Sequence, residues 1–179
     1  GRQLCYRIAF LEELFHPVPP GEGFSVGGID VESFSTPHDA AESTGFALSA
    51  GGRKAAVVTD LGYVTPEVLK GIRGADLLVC EANHDVEWLQ SGPYPYYLKA
   101  RILGDRGHLS NEAGAELTWT AVEGGARTVV LAHLSHENNT PQRAHEVVRA
   151  LLERRGAAVG RDVILEVAPR SEAGRRYPV

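Results

Sequence analysis

Residues 55–62, Ala-Ala-Val-Val-Thr-Asp-Leu-Gly, run as an apolar strand straight into a carboxylate and a glycine. Three other stretches share this form: Ile29–Ser35 continues into Thr36-Pro37-His38-Asp39, Leu77–Cys80 into Glu81-Ala-Asn-His84-Asp85, and Thr128–Ala132 into His133-Leu-Ser135. Each predicted strand delivers an imidazole or a carboxylate at or just past its C-terminal end. In layered α/β sheets ligands bind at that edge, because loops can converge there while the strands stay rigid. His and Asp from separate strand ends give nitrogen and oxygen ligands to a divalent ion such as zinc or manganese, and an Asp can bridge two ions. The plainer alternatives are that a lone strand-end His is a hydrogen-bonded structural residue, and that Asp60 caps a turn. Four strand ends behaving alike favour a metal or acid–base site.

Outward from these stretches the pattern divides in two. Phe24–Val26 and Ile29–Phe34 flank Gly27-Gly28, and Thr44–Ala50 and Lys54–Thr59 flank Gly51-Gly52, which predicts two hairpins with two-glycine turns. Beyond Thr59 helices and strands alternate. Thr65-Pro66-Glu67, Ser110-Asn-Glu and Thr140-Pro141 are helix starts, with a capping hydroxyl and either proline or an acid in the first turn. The last two helices stop at Gly124-Gly125 and at Arg154-Arg155-Gly156, before strands Thr128–Ala132 and Val163–Ala168. Hairpins followed by β-α-β units predict an α+β architecture, a mixed sheet with helices on one face. Residues 1–22 read least clearly, as an amphipathic stretch Arg7–Phe15 and a Pro-rich connection through Pro17, Pro19 and Pro20.

The 179 residues are one domain's worth of chain, 43% apolar and 23% charged, which excludes a disordered or low-complexity protein. No apolar run reaches the ~18–20 residues of a membrane span. A net charge of −5 leaves no global basic footprint for nucleic acid, so a phosphate-bearing substrate needs local Arg, helix ends or a metal. Cys5 and Cys80 are too few for a disulfide framework, and a cytoplasmic location is the default expectation.

The series Thr36-Pro-His38-Asp39, Thr59-Asp-Leu-Gly62, Cys80-Glu-Ala-Asn-His-Asp85, Gly104-Asp-Arg-Gly-His-Leu-Ser-Asn111 and Leu131-Ala-His-Leu-Ser-His-Glu-Asn-Asn-Thr-Pro141 resembles the YycJ/WalJ-type proteins of the metallo-β-lactamase fold, relatives in plan of ribonuclease Z and ribonuclease J. The likeness runs from about Phe24 to Pro169. It implies a metallo-β-lactamase-like αββα sandwich and a metal-dependent hydrolase, a phosphodiesterase or nuclease of the DNA exonuclease type, with two divalent ions (zinc or manganese). On that resemblance His38 is the third histidine of the first metal site, Asp60 the bridging carboxylate and His133 the last ligand of the second metal. Glu81 and His108 match a Glu and a His that act together in phosphodiester cleavage in ribonuclease Z, His108 protonating the leaving oxygen or holding the phosphate while Glu81 orients its ring. His84, distinctive of the YycJ-type pattern, is expected to touch substrate, to stand behind the ligands, or to be structural.

Further substrate contacts are expected from Ser135, from Ser110, Asn111 and Asn138 near helix starts, and from Arg106 with Arg101 beside the His108 loop; ordinary N-capping and solvation are the alternatives. His136 and His145 are expected to face solvent, and His16 has no partner that can be named. Tyr94, Tyr96 and Tyr97 could stack bases, with packing against the sheet the safer expectation.

The resemblance is incomplete. The family's His-x-His-x-Asp-His motif is absent from these residues, which contain no Met and begin Gly-Arg-Gln. The chain is therefore expected to be a single, incomplete domain, the C-terminal part of a longer protein, inactive or weakly active alone. An uncovered sheet face should then promote self-association, for which a homodimer is one form. Nucleic acid, DNA more than RNA, is the expected partner, with no membrane. The competing readings are another hydrolase of this fold, on thioesters, lactones or cyclic nucleotides, and a non-catalytic interaction module.

Overall fold

The computed structural model describes residues 16–177, so the Arg7–Phe15 stretch and Cys5 lie outside the described residues. Among the described residues seven strands form one sheet in sequential order: β1 (Gly23–Val26), β2 (Ile29–Ser35), β3 (Thr44–Ala50), β4 (Arg53–Val58), β5 (Leu77–Glu81), β6 (Thr128–Ala132) and β7 (Ile164–Val167). β1 to β4 pair antiparallel and β4 to β7 parallel. Both hairpins turn on the expected glycines, Gly27-Gly28 at φ 57° and 80° and Gly51-Gly52 at φ 56° and 77°. A two-residue turn with both φ positive matches the twist of the flanking strands, and glycine enters it without a Cβ penalty.

This topology makes the site. Two antiparallel steps return β2 to the direction of β4, and β5, β6 and β7 run parallel to β4. The C-terminal ends of β2, β4, β5 and β6 therefore open on one edge, carrying His38, Asp60, Glu81 and His133. Parallel strands added in one direction with right-handed crossovers place their connecting helices on a single face. Helix α1 (Pro66–Ile72) is capped by Thr65, α4 (Asn111–Glu123) by Ser110 and α5 (Pro141–Arg154) by Thr140. These three pack on the face of Phe34, Ala56, Val58, Leu78, Val129 and Leu131 to make the apolar core. The opposite face presents Leu48, Val57, Leu77, Val79 and Val130, with Phe46 and Ile164 about 40% exposed, and carries no described helix. Cys80 is wholly buried beside Thr118, and burial pushes its thiol up to about 12, so it is chemically inert in the folded chain.

Two short helices escape the sequence reading. α2 (Val86–Ser91) starts where Asp85 Oδ1 accepts from Trp88 N at 3.0 Å, and α3 (Tyr96–Leu103) follows Pro95 with no side-chain cap. Gly92, Pro93 and Pro95 interrupt the periodicity that would have marked a single long helix. α3 buries none of its residues and stands at the functional edge rather than in the helix layer.

Two glycines let loops of that edge touch. A Cβ on Gly62 would lie 2.4 Å from the Asp105 carbonyl, and one on Gly107 would lie 2.1 Å from the Ile102 carbonyl oxygen. Both obstacles are backbone and cannot swing away. Gly62→Ala and Gly107→Ala are each expected to destabilise the fold by ~1–3 kcal/mol, lowering Tm by about 3–10 °C; thermal unfolding followed by circular dichroism measures this.

Candidate metal and acid–base site

Asp60 and His133, the first residues past the β4 and β6 ends to carry candidate ligand atoms, are the non-glycine residues with positive φ among those described, both at 58°. Such a backbone is costly for a residue with a side chain and is found where surrounding structure enforces it, commonly at functional sites. Here it brings the two side chains together. His133 Nε2 lies 3.7 Å from Asp60 Oδ1, and His38 Nε2 reaches the same oxygen at 3.5 Å. His108 joins between them, its ring centroid 4.8 Å from that of His38 and 5.1 Å from that of His133.

Glu81 organises this cluster from below. Its side chain is fully buried, yet both oxygens are occupied. Oε1 accepts from His108 Nδ1 at 2.8 Å and from His133 Nδ1 at 2.6 Å, and Oε2 from the backbone N–H groups of Leu61 and Leu109 at 3.2 and 3.3 Å. Burial opposes ionisation of the carboxyl, but the hydrogen bonds from His108 and His133 outweigh it and hold Glu81 below the ordinary carboxylate range. An ionised carboxylate only accepts, so both Nδ1 atoms are donors and each neutral ring keeps its lone pair on Nε2. His38 reaches the same tautomer by another route, donating Nδ1–H to the Gly107 carbonyl at 2.9 Å. The hydrogen bond to Glu81, against the opposing effect of burial, raises the pKa of His133.

This chemistry fits a divalent cation. Asp60, Glu81, His108 and His133 each offer one ligand atom, all within 4.8 Å of one another. Glu81 is already committed to four donors, which leaves it as the acceptor that orients the imidazoles. Orientation of a ligand imidazole through its second nitrogen is the usual arrangement around bound metals. The donors free to turn toward an ion are Asp60 and the Nε2 atoms of His38, His108 and His133.

Beside the cluster a cavity of about 240 Å³ is lined by His38, His108, Asn83, Ser135, Tyr94 and Leu98, among others. Ser135 is thus at the site. The other expected substrate contacts are placed differently. His84, Asn111 and Asn138 are at most 1% exposed and none of the three lines the cavity; for His84 this burial agrees with the expectation that it stands behind the ligands or is structural. Asn111 exchanges amide hydrogen bonds with Asn139, whose Nδ2 also donates to the Ala82 and Asn83 carbonyls, so these residues tie the β5 end to α4 and α5. His84 sits behind the cluster, neither ring nitrogen meeting a partner among the described residues, and burial lowers its pKa. Ser110 Oγ caps α4 by accepting from Ala113 N at 3.2 Å, the ordinary capping role. Arg106 is exposed and lines a neighbouring hollow with Asp105 and Tyr63. Arg101 is bonded to Asp39, whose other oxygen lies 3.4 Å from His38 Nε2. His136 is exposed as expected, His145 half-buried.

Sequence reasoning gave Asp39 no role of its own and passed over Asn83, although each belongs to a strand-end stretch it had singled out. The tyrosines also differ from the safer expectation: Tyr96 is 87% and Tyr97 73% exposed, and neither packs on the sheet, because α3 stands clear of it.

The shifts of Glu81 and His133 carry opposite pH signs. The depressed Glu81 contributes stability above its unfolded pKa of about 4.3, lost as pH falls through the folded value. The raised His133 contributes below its unfolded pKa of about 6.5, lost as pH rises through the folded value. In metal-free protein the Tm difference between wild type and Glu81→Gln is expected to be largest between about pH 4.3 and 6.5 and to shrink on either side; thermal melts in a chelator across pH 3–9 test this.

Comparison with known proteins accords with this geometry. The profile of the beta-lactamase superfamily domain matches residues 2–134. The chain is 39% identical over 158 residues to the exodeoxyribonuclease YycJ of Bacillus anthracis, covering 84% of this chain and 60% of that protein. It is likewise 39% identical over 147 residues to the exodeoxyribonuclease WalJ of Streptococcus pneumoniae, covering 82% and 55%. The chain thus spans little more than half the length of the curated relatives it matches. The metallo-β-lactamase fold protein YhfI from Bacillus subtilis superposes with a TM-score of 0.61 over 92% of this chain and 58% of that one, at 15% identity, a likeness of fold alone. With a profile matched over three-quarters of its length and strand ends converging on an Asp–His cluster, the chain belongs to the beta-lactamase superfamily.

Proposed function

We propose that this chain carries the Asp–His–Glu part of a metal-dependent phosphodiesterase that acts on nucleic acid, DNA rather than RNA. The observation that carries the reading is the convergence of His38 Nε2 and His133 Nε2 on Asp60 Oδ1 at 3.5 and 3.7 Å, with Glu81 fixing His108 and His133 from beneath. His38, Asp60 and His133 are the metal ligands in this proposal. Divalent ions held there would lower the pKa of bound water toward ~7 and offset charge on a phosphodiester. Asp60, its backbone held at φ 58°, would supply carboxylate oxygen to them.

His108 has a different task. Its Nδ1 is held by Glu81, and its ring lines the cavity, so Nε2 is the atom left to meet substrate. As general acid its ring would give the Nε2 proton to the departing oxygen, and the Glu81 carboxylate 2.8 Å from Nδ1 fixes the orientation of the ring for that transfer. The names of the YycJ and WalJ relatives support nucleic acid over smaller esters as substrate. The net charge of −5 assigns the attraction for phosphate to local groups rather than to the whole surface.

End-labelled DNA offered to the intact protein with manganese or zinc tests the reading. Asp60→Ala is expected to abolish digestion and to reduce bound metal measured by elemental analysis. His108→Ala is expected to keep its metal while kcat falls ~10²–10⁴-fold, and Glu81→Gln to lose ~10–100-fold in activity or metal affinity. Digestion unaffected by Asp60→Ala would falsify the proposal.

A further inference from the structure

The cavity beside His38 and His108 has two unlike walls. One is largely apolar and built by the segment that leads into α3 and by α3 itself: Tyr94, held between Pro93 and Pro95, with Leu98 and Ile102 one turn apart on the helix; α3 also lends Arg101, whose guanidinium is bonded to Asp39. The other is polar, and its groups keep hydrogen-bonding capacity. Asn83 spends its Nδ2 on the His133 carbonyl at 2.8 Å, which leaves Oδ1 as an acceptor. Ser135 Oγ accepts from Asn138, which leaves its hydroxyl hydrogen to donate. The volume of about 240 Å³ lies below the ~300 Å³ at which pockets begin to take drug-sized molecules. It admits one ring-sized group. α3 buries no residue in the core, so packing of the fold does not explain why its apolar side faces this cavity.

The geometry points to a base-binding subsite: the nucleobase next to the scissile phosphate stacks on Tyr94 against Leu98 and Ile102, and its edge meets Asn83 Oδ1 and the Ser135 hydroxyl. This inference rests on the nucleic-acid reading above and adds the group that the cavity holds. A flat ring with a π face and a rim of donors and acceptors satisfies both walls. An aliphatic chain would leave the Asn83 and Ser135 groups unpaired, and an unpaired polar group weakens binding; a bare sugar would pair them but offers no flat face to Tyr94, Leu98 and Ile102. Stacking on an aromatic side chain tolerates any base, so this subsite grips a strand without selecting its sequence.

The test compares single-stranded oligonucleotides that carry either a base or an abasic residue at the terminal position. Binding to the intact protein is measured by fluorescence anisotropy in a chelator, and digestion is measured separately with metal present. Wild type is expected to bind the abasic end about tenfold more weakly. Tyr94→Ala is expected to lose about the same factor on the normal end and little more on the abasic one, because the two changes remove the same contact; Tyr94→Phe, which keeps the ring, restores most of the loss. Equal wild-type affinity for both ends overturns the subsite, while digestion of both leaves the nuclease reading standing. Base-dependent, Tyr94-dependent binding with no digestion upholds the subsite and removes the nuclease reading. Failure to bind any oligonucleotide in the chelator overturns the subsite, and failure to digest any with metal present overturns the nuclease reading.

Discussion

A single buried carboxylate holds the functional edge together. Glu81 accepts from Leu61, Leu109, His108 and His133, so one side chain at the end of β5 joins the loop after β4, the loop before α4 and the loop after β6. Burying a charge is expensive unless it is paired and hydrogen-bonded, and Glu81 meets that condition on both oxygens. The same bonds decide which nitrogen of each imidazole carries hydrogen. Structure and chemistry are therefore set by one residue: the donors that make its burial tolerable are the rings whose other nitrogens face the site.

Strain is placed with similar economy. Asp60 and His133 sit in the left-handed region on neighbouring loops, and each is held by what surrounds it. Ser43 Oγ donates to the Asp60 carbonyl at 3.2 Å, and Asn83 Nδ2 to the His133 carbonyl at 2.8 Å. The buried amides of Asn111 and Asn139 brace the next layer. Asn111, expected as a substrate contact, thus belongs to the frame behind the edge, while Ser43 and Asn83 hold the carbonyls of the two strained residues.

What could be read from the sequence followed from local rules. Two-glycine turns between alternating strands, hydroxyl caps before Pro66, Asn111 and Pro141, and polar groups at strand ends each leave a mark within about ten residues. The convergence of positions 38, 60, 81 and 133 was legible because β2, β4, β5 and β6 run the same way and deliver their ends to one edge; His108 follows α3 rather than a strand, and only the family resemblance pointed to it. The bonding of Arg101 to Asp39, the burial of Asn111 and Asn138 and the exposure of Tyr96 and Tyr97 were not legible. Helix starts that bind phosphate and helix starts that only cap themselves share the same residues, and only tertiary packing separates them. The α2–α3 segment was missed because Gly92, Pro93 and Pro95 read as a loop, although they divide two short helices.

The two edges of the sheet have different tolerances. Both hairpin turns, Gly27-Gly28 and Gly51-Gly52, lie at the edge remote from Glu81, where β2 and β4 begin, and a Cβ on any of the four would meet nothing within 4 Å among the described residues. Insertions, affinity tags or a fused reporter placed at those turns extend into open solvent and leave the imidazoles undisturbed. The edge that carries the chemistry, where Gly62 and Gly107 press against neighbouring carbonyls, has no room for any such graft.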